Sequence, residues 1–140
     1  MNIQTATEAM LAQKRFELLP DEKPVIEGLS SYLKSSLNVM SCHAALTNHR
    51  IVVCKKNLIG GMALFGIAGV AVSVAVSLLR KQTKIMFQIP IAEIVGVKNI
   101  KHGFSRKYRF VIRSGENYDL QFTNAEQWEA ELKILGVTIE

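Results

Sequence analysis

Residues 107–122 read KYRFVIRSGENYDLQF, and their alternation decides the fold. Tyr108, Phe110 and Ile112 fall on one side of an extended chain, and Lys107, Arg109 and Arg113 on the other, with Val111 the exception. Aromatic and β-branched residues at a period of two mark a half-buried strand, because successive side chains point to opposite faces of a sheet. Ser114, Gly115, Glu116 and Asn117 supply turn chemistry, and Tyr118, Leu120 and Phe122 resume the alternation. The stretch therefore predicts an antiparallel hairpin.

The same reading extends outward. Upstream, Ile94 to Ile100 predict a strand followed by a loop over 101–106, and Ile85, Phe87 and Ile89 alternate with Met86 and Gln88. Pro90 ends that strand because it has no N–H to give a ladder. Val25 to Leu33, Leu37 to Leu46 and Ile51 to Cys54 are further strand segments, the last two joined by a tight turn at Thr47, Asn48 and His49. Downstream, Ala125, Trp128, Leu132 and Leu135 align at helical spacing, with Thr123 or Asn124 as cap and Gly136 as stop. At the other end, Thr5 and Glu8 form a capping box and predict a helix from Thr5 to Leu18, stopped by Pro20. Its stripe of Ala9, Met10, Ala12 and Phe16 is thin, which places it at the edge of the domain. The sum is a mainly β chain of about seven short antiparallel strands with a C-terminal capping helix. Such a sheet must close or be covered, since open edges aggregate.

The chain has 140 residues, 49% apolar and 21% charged, which fits one globular domain over 1–140 and excludes a disordered tail. Two features are uneven. Residues 57–79 carry no charge: 16 are apolar, four are Gly, and only Asn57, Ser73 and Ser77 are polar. From Arg50 to Arg113 there are twelve Lys or Arg against the single acid Glu93, so a formal net charge of +5 conceals a strongly cationic middle. Cys42 and Cys54 sit in apolar runs and read as small buried hydrophobes rather than a bridge. Residues 1–20 lack the apolar stretch of a signal peptide, so the expected location is cytoplasmic.

Two segments resemble a known family. Ala45-Leu46-Thr47-Asn48-His49-Arg50-Ile51-Val52-Val53 resembles the "LTN-x-R-hydrophobic" hairpin of GRAM and bacterial pleckstrin-homology-like domains. Ile89-Pro90-Ile91-Ala92-Glu93-Ile94 resembles their "IP-x-x-x-I" element, and the late strand followed by a helix containing Trp128 matches as well. The resemblance runs from about Glu17 to Leu135, interrupted by a hydrophobic insert over 57–81. It implies a pleckstrin-homology-like (PH-like) antiparallel barrel or sandwich without catalysis or cofactor. Domains of this kind bind lipid head groups, peptides or proteins, or only scaffold, so the fold does not specify the function.

The insert permits three readings. As one helix, its 23 uncharged residues would span about 34 Å, close to the roughly 30 Å hydrocarbon core of a bilayer. A single pass would part the strands before Lys56 from those after Lys84, so both ends must return to the same side. One reading is a helical hairpin bent near Gly66 and Gly69 that dips into one leaflet, with Lys55, Lys56, Arg80 and Lys81 meeting anionic head groups. A second packs the segment against the sheet or another copy of the chain through Gly66, Gly69, Ser73 and Ser77. A third is an extra strand, since Val70, Val72, Val74 and Val76 alternate with small residues.

The remaining signal is basic. Lys98, Lys101, Arg106, Lys107, Arg109 and Arg113 cluster on one hairpin with Phe104 at its tip, an arrangement suited to anionic phospholipid at the inner face of a membrane. Phe65 and Phe104 are the candidate apolar contacts; the bland alternative is a solvated strand face. Nucleic acid is disfavoured, because the aromatics alternate onto the core side and leave no stacking platform. His43, in an apolar strand, reads as a satisfied core residue. No His, Cys or carboxylate cluster has metal-ligand spacing, and no Gly-rich segment has phosphate-loop context. The expectation is a non-enzymatic lipid-binding module, with a protein-interaction or homo-oligomerisation module as the alternative.

Overall fold

Among the described residues, each alternating segment becomes a strand. The computed structural model describes residues 11–13, 16–35, 37–55, 84–102 and 105–140. The strands are β1 (Pro24–Ser35), β2 (Asn38–Thr47), β3 (Arg50–Lys55), β4 (Ile85–Pro90), β5 (Ile94–His102), β6 (Ser105–Ile112) and β7 (Asn117–Phe122). A 3-10 turn, Ile91–Glu93, joins β4 to β5, and the helix α1 (Ala125–Ile134) follows β7. All pairings are antiparallel in one sheet of order β4-β3-β2-β1-β7-β6-β5. The expectations placed on the insert over 57–81, including Lys56, Phe65, Gly66, Gly69, Ser73, Ser77, Arg80 and Lys81, lie outside the described residues, as does Phe104.

The sheet is curled, and two ring contacts show it. β4 and β7 stand four places apart in the order, yet Phe87 stacks on Tyr118 with centroids 4.6 Å apart. Tyr32 of β1 lies 4.7 Å from Phe87. Alternation sends Cys42, Ala44, Leu46, Ile51, Val53, Tyr108, Phe110, Leu120 and Phe122 into the concavity, where α1 adds Trp128 and Leu132. The Trp128 ring stacks on Phe122 at 4.2 Å, so the helix plugs one side of the curl as its central Trp predicts. The architecture is a curled antiparallel sheet capped by a C-terminal helix.

Among the described residues, two glycines hold positive φ: Gly115 (+96°) in the β6–β7 turn and Gly136 (+88°) just past α1. Both sit where a left-handed residue closes a turn or a helix, as placed from sequence.

The N-terminal expectation needs correction. Phe16, Glu17, Leu18 and Leu19 are irregular, so the helix does not reach Leu18, while residues 1–10 lie outside the described residues. The segment instead straps the outer face of the sheet, where Phe16 is fully buried with Ala45, Val52 and Cys54. The cause is Arg50, a fully buried side chain on the same face. Its Nη2 donates to the Glu17 carbonyl (2.9 Å), and its guanidinium lies 5.2 Å from the centre of the Phe16 ring. A carbonyl committed to Arg50 fits a strap, and the capping box at Thr5 carries no information about it.

The loop expected over 101–106 is shorter than read. β5 runs to His102 and β6 begins at Ser105, with Lys101 paired to Arg106. Hydrogen bonding across the two strands outweighs the polar composition of the tip. Cys42 and Cys54 are both free and buried. Burial pushes both thiols up, Cys54 to about 12.

Candidate functional site

The six bases of the hairpin do not form one face. Because side chains alternate, Arg106 shares the parity of Tyr108 and Phe110, whereas Lys107 and Arg109 share the opposite, outer parity. Arg113 follows the end of β6, about 23 Å along the chain from Arg106 at roughly 3.3 Å per residue. The sheet therefore divides the cluster in three.

The outer pair is half neutralised, one carboxylate against two cations. Asp119 on β7 faces Arg109 in register and accepts Arg109 Nε (2.9 Å), Arg109 Nη2 (3.0 Å) and Lys107 Nζ (3.2 Å). Burial pushes the Asp119 carboxyl up, but the hydrogen bonds and charges of Arg109 and Lys107 outweigh it and hold the group below its ordinary value. Reciprocally, the hydrogen bond and charge of Asp119 raise Arg109. Arg113, largely exposed, has Nε 3.7 Å from Glu93 and donates weakly to the Ala92 carbonyl.

The tip bases differ. Lys98 and Lys101 are exposed, and no ion-pair partner for either occurs among the described residues. Arg106 is exposed and interacts with the Tyr108 hydroxyl, which donates to Glu129 Oε2 (2.9 Å). Burial first, then the Glu129 hydrogen bond, pushes the Tyr108 phenol up to about 12, so it stays a neutral donor. Lys55 is exposed at the end of β3, where the chain leaves for the insert.

Arg106 also lines a cavity of about 560 Å³ between β1, β2, β6, β7 and the start of α1. Ser30, Ser31, Ser41, Gln121, Glu126, Leu29 and Phe122 line it as well. Register assembles it: Ser30 faces Cys42 and Phe122, while Ser31 faces Ser41 and Gln121. The Ser30 hydroxyl donates to the Gln121 carbonyl (2.8 Å), which fixes that wall. These residues were not singled out from sequence. The usable signal was the pair Ser30-Ser31 within an apolar strand, yet only pairing shows what it meets.

The motif residues do different work. The Thr47 hydroxyl accepts the N–H groups of His49 and Arg50 (both 3.1 Å) and donates to Glu22 Oε2 (2.6 Å). Asn48 Oδ1 accepts the Lys23 N–H (2.7 Å), and Arg50 holds Glu22 through Nε and Nη2 (2.8 and 2.9 Å). The Leu-Thr-Asn-x-Arg element is thus a clasp on the N-terminal strap. His43 is half-buried with Nε2 3.4 Å from Glu27, the partner its strand position called for.

Among the described residues there is no group of three His, Cys, Asp or Glu able to hold a metal, and no helix is long and apolar enough to cross a membrane.

No protein-family model matches the sequence, and no curated protein aligns with it significantly. Solved structures do match. A structure of Vav1 inhibited by an allosteric inhibitor superposes with a TM-score of 0.55 at 13% identity, covering 94% of this chain and 32% of that one. Human RhoA in complex with the DH/PH fragment of PDZRHOGEF gives 0.54 at 12% identity, covering 97% and 32%. The chain thus spans about a third of the length of these solved chains. At such identities the likeness shows the fold alone, and that fold is PH-like.

Proposed function

We propose that this chain is a non-enzymatic PH-like module of GRAM type that attaches peripherally to anionic phospholipid at a cytoplasmic membrane face. The observation that carries the reading is the β5–β6 tip, where Lys101 and Arg106, paired across the two strands, are exposed on one face beside a cavity that Arg106 lines, and Lys98, paired with Arg109, is exposed on the other; neither lysine has an ion-pair partner among the described residues. Cations there meet phosphate oxygens, and the serine hydroxyls can bond a polar head group. Lys107 and Arg109 contribute less, because the single Asp119 carboxylate offsets one of their two charges and ties up both side chains. Each base near an anionic surface is worth about 1 kcal/mol, so three supply about 3 kcal/mol, roughly a hundredfold in affinity. That is recruitment rather than stable anchoring. The hydrophobic insert over 57–81, flanked by Lys55, Lys56, Arg80 and Lys81, is the second attachment.

Cosedimentation with vesicles with and without phosphatidylserine tests this. Binding should require the anionic lipid, weaken with salt, and fall roughly a hundredfold when Lys98, Lys101 and Arg106 are all changed to Gln. Binding that ignores lipid charge and survives the triple change would overturn the reading.

The second reading is a protein-interaction or self-association module. It is favoured by Leu37 and Val39, 97% and 53% exposed at the β1–β2 turn, and by the RhoA complex of the similar PDZRHOGEF fragment. Light scattering in detergent-free buffer separates the two: a concentration-dependent mass favours association.

A further inference from the structure

Two opposite charges line the cavity beside α1 without pairing to each other. Arg106 comes from the start of β6 and Glu126 from the first turn of α1, and both are exposed. Neither has an ion-pair partner among the described residues, so their charged atoms stand more than 4.0 Å apart. The guanidinium is held from one side, because it interacts with the Tyr108 hydroxyl, which donates to Glu129 Oε2 (2.9 Å). Glu129 lies three residues beyond Glu126, on the same side of the helix, and its Oε1 is 3.5 Å from Lys133 Nζ. The Glu129 charge is thereby engaged. Glu126 is the acid of this wall that stays available to an incoming group.

The room between the two charges comes from small residues at inward positions. Ser30 and Cys42 face each other across β1 and β2, both buried, and Ser30 also faces Phe122 on β7. The Ser30 hydroxyl is spent on the Gln121 carbonyl (2.8 Å), which fixes this part of the wall. At about 560 Å³ the cavity has the size of a small-molecule site. The charges on its walls restrict what fits. A bare phosphate on Arg106 meets Glu126 as a like charge. A ligand that carries both signs meets each side chain with its opposite.

We infer that this cavity takes a phosphate that also bears a primary ammonium group, with the phosphate oxygens on Arg106 and the ammonium on Glu126. The phosphate at Arg106 rests on the lipid reading above; the ammonium subsite at Glu126 goes beyond it. Serine- and ethanolamine-bearing phospholipid head groups have this chemistry, and so does free phosphoethanolamine. The two carbons between ester oxygen and nitrogen keep the ligand's charges apart, as those of Arg106 and Glu126 are. Glu126 thereby converts a general attraction to anionic surfaces into a choice among anionic lipids. Phosphatidylglycerol carries the same net charge as phosphatidylserine but no ammonium. A partly exposed ammonium–carboxylate contact is worth up to about fivefold in affinity.

The test compares the full chain on phosphatidylcholine vesicles holding either phosphatidylserine or phosphatidylglycerol at the same mole fraction. Binding should be about fivefold tighter with phosphatidylserine. Glu126→Gln, at an exposed position, should erase that preference while binding phosphatidylglycerol no more weakly, because it removes a like charge. Lys98→Gln with Lys101→Gln should weaken binding to both vesicles by the same factor. Equal binding of the parent chain to both vesicles overturns the inference and leaves the lipid reading standing. So does a Glu126→Gln chain shifted by one factor on both. If neither vesicle binds, the lipid reading falls and soluble O-phosphoethanolamine decides. It should shift the NMR signals of the Ala125 and Glu126 amides at concentrations where glycerol 3-phosphate does not, and Glu126→Gln should remove the difference. That result supports the inference with a free compound as the source. No difference between the two compounds overturns it.

Discussion

Replacing Glu22 by alanine strands a fully buried guanidinium. The Glu22 carboxylate accepts Arg50 Nε at 2.8 Å, Arg50 Nη2 at 2.9 Å, the Thr47 hydroxyl at 2.6 Å and the Leu19 N–H at 3.0 Å. Both side chains of the ion pair are 0% exposed. Without the carboxylate, Arg50 keeps the Gln88 Oε1 (2.7 Å) and the Glu17 carbonyl (2.9 Å), which bond it but do not balance its charge. Removing one partner of a buried pair costs about 3–5 kcal/mol. Against the roughly 5–15 kcal/mol of a typical domain, that is about a fifth of the stability or more. At about 4 °C per kcal/mol, the Tm should fall by about 12–20 °C.

The chain has one tryptophan, Trp128, buried in the core, so its fluorescence reports global unfolding in a denaturant titration. The midpoint should drop with m unchanged. Labelling of Cys54, packed beneath the strap with Phe16, should accelerate in the same variant. The paired change Glu22→Leu with Arg50→Met should recover most of the loss, since apolar replacement of a whole buried pair is often neutral or stabilising. A Glu22→Ala chain within about 1 kcal/mol of the parent, or a double variant as unstable as the two single losses combined, would refute the clasp.

Four further outcomes follow from the same geometry. The Asp119 carboxyl is held below its ordinary value of 3.8, so its stabilisation is present above about pH 4 and is lost as the pH falls through the lowered value. Asp119→Asn should therefore destabilise by up to about 1 kcal/mol at neutral pH, with the gap from the parent closing in acid unfolding curves. Arg109→Gln should cost a similar stability and weaken vesicle binding far less than the triple change at Lys98, Lys101 and Arg106. Trp128→Ala removes the ring stacked on Phe122 and should cost about 3–5 kcal/mol by denaturant midpoint. The Cys54 thiol, pushed up to about 12 and buried, should resist alkylation at pH 8 in the native chain and react only on unfolding.

The strand segments were legible in sequence because alternation is local. Tyr108 and Phe110 were placed inward by a period of two, and both are buried. The turn at Thr47 was legible for the same reason, since its hydroxyl bonds backbone two and three residues on. The strap was not. Glu22 and Arg50 are 28 residues apart, and nothing in either neighbourhood states that they meet. A motif that served as a mark of resemblance turned out to fasten the N-terminal segment.

The basic hairpin shows the same division. Sequence set the charge and the strand, so six cations read as one surface. Only the neighbouring strand decided which of them are spent: β6–β7 register places Asp119 against Arg109, and strand parity turns Arg106 toward the cavity. By itself, the sequence determined where the strands and the capping helix lie and which side of each faces inward, because those follow from steps of two and of 3.6 residues along the chain. The tertiary structure alone decided which charges stay free and where a cavity opens. Those properties belong to pairs of residues that only the register of the sheet brings together.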